Sequence, residues 1–157
     1  MTKPVKPIPD GYHTFTPYLF IQGAAAAIEF YQKAFGATER VRMAGPDGKI
    51  GHAEIQIGDS IIMLSEENEK MGARSPKTLG GAPLLLHLYV PDVDSLFAQA
   101  VAAGAKVTRP IANQFYGDRS GGLEDPFGFG WYLATHIEDV PPDEMERRAA
   151  EAMKKGC

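Results

Sequence analysis

Two stretches of the chain carry the same pattern, and together they decide the fold. Residues 18–36 read YLFIQGAAAAIEFYQKAFG, and residues 87–104 read HLYVPDVDSLFAQAVAAG. In each stretch, strand-forming residues precede a helical segment that ends at a glycine, Gly36 in the first and Gly104 in the second. The shared order and near-equal length indicate an internal repeat.

Apolar side chains within both stretches recur at helical spacing, and such a stripe has to pack on a sheet. The stripe consists of Ile28, Tyr31 and Phe35 in the first stretch, and of Val93, Leu96, Phe97, Ala100 and Val101 in the second. After each helix the sequence alternates with a period of two, which is typical of strands. The predicted strands cover residues 37–44, 49–57 and 60–65 in the first half, and 105–111, 115–123 and 131–136 in the second.

These patterns predict an α+β fold with two β-α-β-β-β modules in tandem, all within one domain over residues 1–157. Module one covers about residues 12–66, and module two covers about residues 83–137. Residues 67–82, which are rich in glycine, serine and proline, are predicted to form an exposed linker. Residues 141–155 are predicted to form a C-terminal helix.

Composition and charge exclude several classes of protein. The 157 residues carry 16 Lys and Arg against 20 Asp and Glu, a net charge of −4, without a basic run that would bind nucleic acid. The apolar stretches are of strand length, so no membrane span is expected. The single cysteine, Cys157, cannot form an internal disulfide, and residues 1–10 do not read as a signal peptide. A cytoplasmic location is therefore expected.

Several short motifs occur in an order that resembles a known superfamily. They are residues 16–20 (TPYLF), 28–31 (IEFY), 34–37 (AFGA), 58–60 (GDS) and 125–128 (DPFG). The set resembles the vicinal oxygen chelate superfamily, which contains glyoxalases, extradiol dioxygenases and bleomycin-resistance proteins. The run WYLATHIEDV that follows resembles its PhnB-like branch. The resemblance implies incurved mixed sheets around a cavity, commonly in a homodimer, but no single reaction.

The resemblance also implies where a metal would bind. Enzymes of the superfamily hold one divalent metal through His and Glu side chains at four positions, which fall on Thr16, Met63, Leu85 and Tyr132 in this sequence. Met thioether and Leu methyl groups cannot replace the water shell of such an ion. The sequence therefore predicts no cofactor and argues against the usual metal-dependent chemistry, although it leaves open whether the chain is an enzyme.

An alternative set of ligands lies close to this register. His87, Glu54 and His136 would form a divalent-metal site displaced by one or two residues. Glu54 and His87 are also the candidate catalytic residues without a metal. If Glu54 faces a water-poor cavity, burial would raise its pKa and make it a general base.

Strand parity selects the side chains that line the predicted cavity, which are mostly aromatic and apolar. The predicted ligand-binding residues are Thr16, Tyr18, Phe20, Met63, Leu85, Tyr89, Arg119, Trp131 and Tyr132. Arg119 would bind a carboxylate or phosphate, or else pair with a neighbouring acid. Aromatic residues on strands also serve as core, so that reading stays open.

Two functional hypotheses follow from these residues. The first is a protein that binds a small aromatic or amphipathic molecule in a metal-free cavity, as bleomycin-resistance proteins do. The second is a metal-dependent lyase, isomerase or dioxygenase of the glyoxalase type. The absent ligands at the four expected positions favour the first.

Overall fold

A computed structural model describes residues 4–156, which form two compact units, one ending at Gly81 and the other beginning at Ala82. The first unit contains β1 (Tyr18–Ile21), α1 (Ala24–Phe35), β2 (Thr38–Ala44), β3 (Ile50–Ile57), β4 (Ser60–Glu66), a 3₁₀ turn (Glu69–Met71) and α2 (Pro76–Leu79). The second contains β5 (Leu85–Tyr89), α3 (Val93–Ala103), β6 (Lys106–Asn113), β7 (Asp118–Glu124), β8 (Gly130–His136) and α4 (Pro142–Lys154).

Both units have the same topology. The strand order is β1-β4-β3-β2 in the first sheet and β5-β8-β7-β6 in the second. In each sheet the first strand runs parallel to the fourth, with Tyr18 opposite Met63 and His87 opposite Tyr132, while the other pairs are antiparallel. The predicted α+β class, the tandem β-α-β-β-β order and the C-terminal helix are thus confirmed.

The helix of each unit covers one face of its sheet with the apolar side chains that the spacing selects. Ile28, Tyr31 and Phe35 are buried under α1, as are Val93 and Phe97 under α3. Each such side chain contributes roughly 1.5–3 kcal/mol relative to an exposed one. Val101 belongs to the same predicted stripe but is exposed at the edge of the helix, so the prediction was wrong for this residue.

Local hydrogen bonds explain where the helices begin and end. The side chain of Asp92 accepts from the backbone N–H of Ser95 and caps α3, as the sequence predicts. Helix α1 has no such residue in front of it. Instead, both carboxylate oxygens of Glu66, at the end of β4, accept from the N–H groups of Gly23 and Ala24 at 2.9 Å. A neighbouring strand therefore caps α1.

Strand β7 begins at Asp118, three residues later than predicted. The N–H of Gln114 donates to the carbonyl of Asp118, and Gly117 turns the chain with φ of 97°. A Cβ atom at Gly117 would collide with the carbonyl oxygen of Glu138. The irregular pairing between β6 and β7 lies around Arg109 in β6.

The segment over residues 67–82, predicted as an exposed linker, is mostly exposed and has short helical structure. It contains the 3₁₀ turn and α2, and Ser75 is fully buried. The carboxylate of Glu67 accepts from the N–H of Ser75 and from the hydroxyl of Thr78, which attaches the segment to the end of β4.

The C-terminal helix α4 is amphipathic, with Met145 and Ala149 half-buried and Met153 exposed. Arg148 binds the carboxylate of Glu138 through two nitrogens at 2.9 Å and donates to the carbonyl of Phe115. These bonds hold α4 on the second unit. Within residues 4–156, no helix is long and apolar enough to cross a membrane. Cys157 lies outside the described residues.

Candidate functional site

Each sheet has an open face, opposite its helix, on which polar and aromatic side chains alternate with the buried core. In the first unit this face carries Tyr18, Phe20, His52, Glu54 and Met63. Tyr18 remains 40% exposed, although its strand neighbour Leu19 is buried. The period-two prediction therefore placed Tyr18, Phe20 and Met63 on the correct face.

A chain of hydrogen bonds connects four side chains of this face. The hydroxyl of Tyr18 lies 2.9 Å from Nδ1 of His52, and Nε2 of His52 lies 3.2 Å from Oε1 of Glu54. The hydroxyl of Tyr12 donates to Oε2, the second oxygen of the same carboxylate. Arg40 stacks over the ring of Tyr12. Both oxygens of Glu54 are therefore occupied by donors.

Glu54 is only 6% exposed, but its environment does not make it a base. Burial raises the pKa of the Glu54 carboxyl, whereas hydrogen bonds from Tyr12 and His52 lower it, and their sum leaves the pKa below its usual value. The expected net rise of the Glu54 pKa was wrong, because the prediction included burial but not these two donors. Glu54 is an ionised hydrogen-bond acceptor at neutral pH.

A cleft of about 900 Å³ lies beside this face within the first unit. Tyr18 and Phe20 of β1 and Ser65 of β4 form one wall. The β2–β3 hairpin, the last residue of β4 and the segment after it supply the remainder, which consists of Gly45, Lys49, Ile50, Gly51, Glu66, Glu67, Asn68, Glu69, Lys70, Met71 and Ala73. The volume falls within the range of small-molecule sites, and two aromatic residues, Tyr18 and Phe20, contribute to one wall.

The open face of the second unit is also aromatic and contains a second buried carboxylate. The ring of His87 lies 4.7 Å from that of Tyr89 and 5.6 Å from that of Tyr132, centroid to centroid. Asp118 is 3% exposed, accepts from the hydroxyl of Tyr89 at 2.7 Å and lies 2.8 Å from Nδ1 of His136. The predicted residues His87, Tyr89 and Tyr132 thus share one face, at whose end Leu85 is exposed.

The acid and the imidazole at this second site shift each other's pKa in opposite directions. Burial raises the pKa of Asp118, but the hydrogen bonds from His136 and Tyr89 lower it by more, so the net shift is downward. Hydrogen bonds to Asp139 and Asp118 raise the pKa of His136. Both ring nitrogens of His136 contact carboxylates, which is the arrangement of an imidazolium ion.

Two predicted ligand-binding residues lie on the wrong face. Trp131 is 1% exposed, and its indole N–H donates to Asp125 at 2.8 Å, so its ring offers no surface for stacking. Arg119 also points toward the helix, where it binds Asp94 of α3 through two nitrogens at 2.7 Å and contacts Asn113. Arg119 therefore pairs with an acid of α3, and not with an acid that neighbours it in the sequence.

The four residues onto which the resemblance places a metal occupy equivalent register positions in the two units. Thr16 lies two residues before Tyr18, the partner of Met63, and Leu85 lies two residues before His87, the partner of Tyr132. The thioether of Met63 and the methyl groups of Leu85 do not supply the nitrogen or oxygen ligands that Zn, Ni, Mn or Fe(II) would need at these positions.

The alternative ligands are divided between the units. Glu54 belongs to the first, where it contacts His52, while His87 and His136 belong to the second. Within the part of the chain that the structure describes, no three His, Cys, Asp or Glu side chains are grouped so that they could hold a metal ion.

Sequence reasoning missed Tyr12 and the hydroxyl pair of Ser120 and Tyr132, whose oxygens lie 3.2 Å apart. Tyr12 precedes the first strand and meets Glu54 only through tertiary structure, 42 residues along the chain. The alternation of His52 with Glu54 was the one local signal for the first hydrogen-bond chain.

Comparisons with known proteins agree with this fold. An uncharacterized protein of Mycobacterium bovis is 43% identical over 134 residues, which cover 83% of this chain and 88% of that protein. The crystal structure of TioX from Micromonospora sp. ML1 matches with a TM-score of 0.65 at 24% identity, covering 80% of this chain and 99% of that one. The structure of an Arabidopsis thaliana gene product matches with a TM-score of 0.64 at 25% identity, covering 78% and 98%.

A PhnB protein from Bacillus cereus has the same fold, with a TM-score of 0.60 at 18% identity and coverage of 78% of this chain and 99% of that one. The model of the glyoxalase/bleomycin resistance protein/dioxygenase superfamily matches residues 12–133. This match spans the helix and four strands of the first unit and almost all of the corresponding elements of the second. The chain therefore belongs to the glyoxalase/bleomycin resistance protein/dioxygenase superfamily.

Proposed function

We propose that this chain is a metal-independent binding protein of the superfamily, which takes up a small aromatic or amphipathic molecule on the open faces of its sheets. The observation that carries the proposal is the exposure of aromatic rings on these faces. Tyr18 is 40% exposed beside a cleft of about 900 Å³, and Tyr89 is 62% exposed. Rings of this kind bind flat apolar ligands by offset stacking and area burial.

The polar groups of the open faces suit recognition better than hydrolysis or metal chemistry. The carboxylates of Glu54 and Asp118 are ionised and occupied by internal donors. Neither has the raised pKa that a general base near neutral pH requires. The side chains at the four metal positions of the superfamily also favour binding over metal-dependent turnover.

The experiment measures binding of 2-methoxynaphthalene by its fluorescence to the wild-type protein and to Tyr18→Ala and Tyr89→Ala variants. Loss of a stacking ring removes about 1–2 kcal/mol, so one of the two variants should bind roughly tenfold more weakly. Phe15→Ala is the control, because Phe15 is a highly exposed aromatic residue that does not line the cleft. Far-UV circular dichroism confirms folding. Equal affinity in all four proteins, or no binding by the wild type, would contradict the proposal.

The proposal includes a homodimer and a cytoplasmic location. The family resemblance supports the dimer, which light scattering of the purified protein tests through its molar mass. The presence of one cysteine in 157 residues supports the location, because secreted domains of this size often rely on disulfides. Fractionation of the native host tests it.

A further inference from the structure

We propose that the exposed tyrosines of the open faces are fixed as hydrogen-bond acceptors, so that the preferred ligand is an aromatic molecule with its own O–H or N–H donor, such as a phenol or an aromatic amine. This inference rests on the proposed binding function and adds the ligand's polar group to it. Two separate contacts carry it, Tyr18 with His52 in the first unit and Tyr89 with Asp118 in the second.

The direction of the hydrogen bond between Tyr18 and His52 follows from the carboxylate of Glu54, which contacts the other nitrogen of the imidazole. An ionised Glu54 can only accept, so Nε2 of His52, at 3.2 Å, carries the hydrogen. An imidazole with its single hydrogen on Nε2 has an acceptor at Nδ1, and in this tautomer the hydroxyl of Tyr18, at 2.9 Å, donates to it. The hydrogen of Tyr18 is consequently used inside the protein, and its oxygen offers only lone pairs to a ligand.

Tyr12 keeps this arrangement in place. Its hydroxyl donates to the second oxygen of Glu54, which is 6% exposed, so the carboxylate has little freedom to turn away from His52. Tyr18 itself lines the cleft and remains 40% exposed. A ligand stacked in the cleft therefore meets the phenol oxygen but not its hydrogen.

In the second unit, a direct contact with a carboxylate leaves the tyrosine oxygen as an acceptor. The hydroxyl of Tyr89 donates to Oδ2 of Asp118 at 2.7 Å, and His136 occupies the other oxygen. Tyr89 is 62% exposed, whereas Asp118 is 3% exposed. In both units a buried carboxylate thus holds the hydrogen of an exposed tyrosine, directly or through an imidazole, and a ligand that only accepts hydrogen bonds finds no donor on either phenol.

The experiment compares 2-naphthol with 2-methoxynaphthalene at neutral pH, since the two differ in the donor and share the ring. The wild-type protein should bind the naphthol roughly three- to tenfold more tightly, the value of one net hydrogen bond. Y18F, Y89F and the double variant Y18F/Y89F remove the acceptor oxygens but keep the rings. The preference should disappear in the single variant whose face holds the probe, and in the double variant in either case.

A further variant separates hydrogen-bond direction from a merely structural role. In D118N the amide can donate as well as accept, which releases the hydrogen of Tyr89 toward the ligand while the phenol remains. If the probe binds to the second unit, the naphthol preference falls in D118N; if it binds to the first, the same result is expected from E54Q. Phe15→Ala again serves as the control and should keep the preference.

The outcomes distinguish this inference from the function on which it rests. If neither naphthalene binds, the proposed function fails. If the wild type binds both equally, or if the naphthol preference survives in Y18F/Y89F, the inference is overturned while aromatic binding stands. Loss of the preference in Y18F/Y89F with retained binding of 2-methoxynaphthalene supports both.

Discussion

Asp125 holds the turn between β7 and β8 together, and its removal should strongly destabilise the protein. Its carboxylate accepts from the N–H groups of Phe127 at 2.8 Å and Phe129 at 3.0 Å, and from the indole N–H of Trp131 at 2.8 Å. All four residues are buried. Each buried donor that loses its acceptor costs about 1–3 kcal/mol. After partial relaxation, Asp125→Ala should lower the free energy of unfolding by about 3–6 kcal/mol, a large share of the usual 5–15 kcal/mol.

Urea unfolding followed by circular dichroism measures this loss, and the single tryptophan, Trp131, provides a fluorescence signal from the turn itself. Asp125→Asn keeps one acceptor oxygen and should lose about 1–3 kcal/mol. Asp47 occupies the β2–β3 turn of the first unit, where it accepts from the N–H of Lys49 in an exposed setting, so Asp47→Ala should lose less than about 1 kcal/mol. A loss for Asp125→Ala no larger than that for Asp47→Ala would refute the reasoning.

Three further predictions concern the backbone, the pH dependence and the metal. Gly117→Ala should destabilise by about 2–4 kcal/mol, since it adds a collision with a carbonyl oxygen to the cost of a positive φ, whereas Gly48→Ala meets no atom and should cost about 1 kcal/mol in urea unfolding. Because contacts with Asp139 and Asp118 raise the pKa of His136, its stabilising effect is complete below pH 6.5 and is lost as the pH rises through the higher folded value. The wild type should therefore lose its advantage over His136→Gln in urea unfolding at alkaline pH; a constant difference would contradict this. After incubation with Zn²⁺, Ni²⁺, Mn²⁺ or Fe²⁺ and desalting, elemental mass spectrometry should find much less than one metal ion per chain, and a stoichiometric metal would contradict the assignment of the four positions.

Spacing in the sequence was sufficient for the elements of the fold, because helix and strand periodicities are local properties. The positions of Ile28, Tyr31 and Phe35 predicted both the helix and its buried face. The start of β7 was misplaced because Phe115 and Tyr116 favour a strand by composition, whereas the turn that ends at Gly117 depends on hydrogen bonds to Asp118 and beyond. Composition did not contain that information.

The sequence by itself determined the repeated module and the α+β class, and strand parity placed Tyr18, Phe20 and Met63 on one face of the first sheet. Tertiary structure alone decided the partners of the polar groups. Glu54 has a lowered pKa because Tyr12, far away in the chain, donates to it. Strand parity predicts which face of the sheet a side chain lies on, but not which side chains contact it there. Those contacts determine the charge and the hydrogen-bond direction of a buried group.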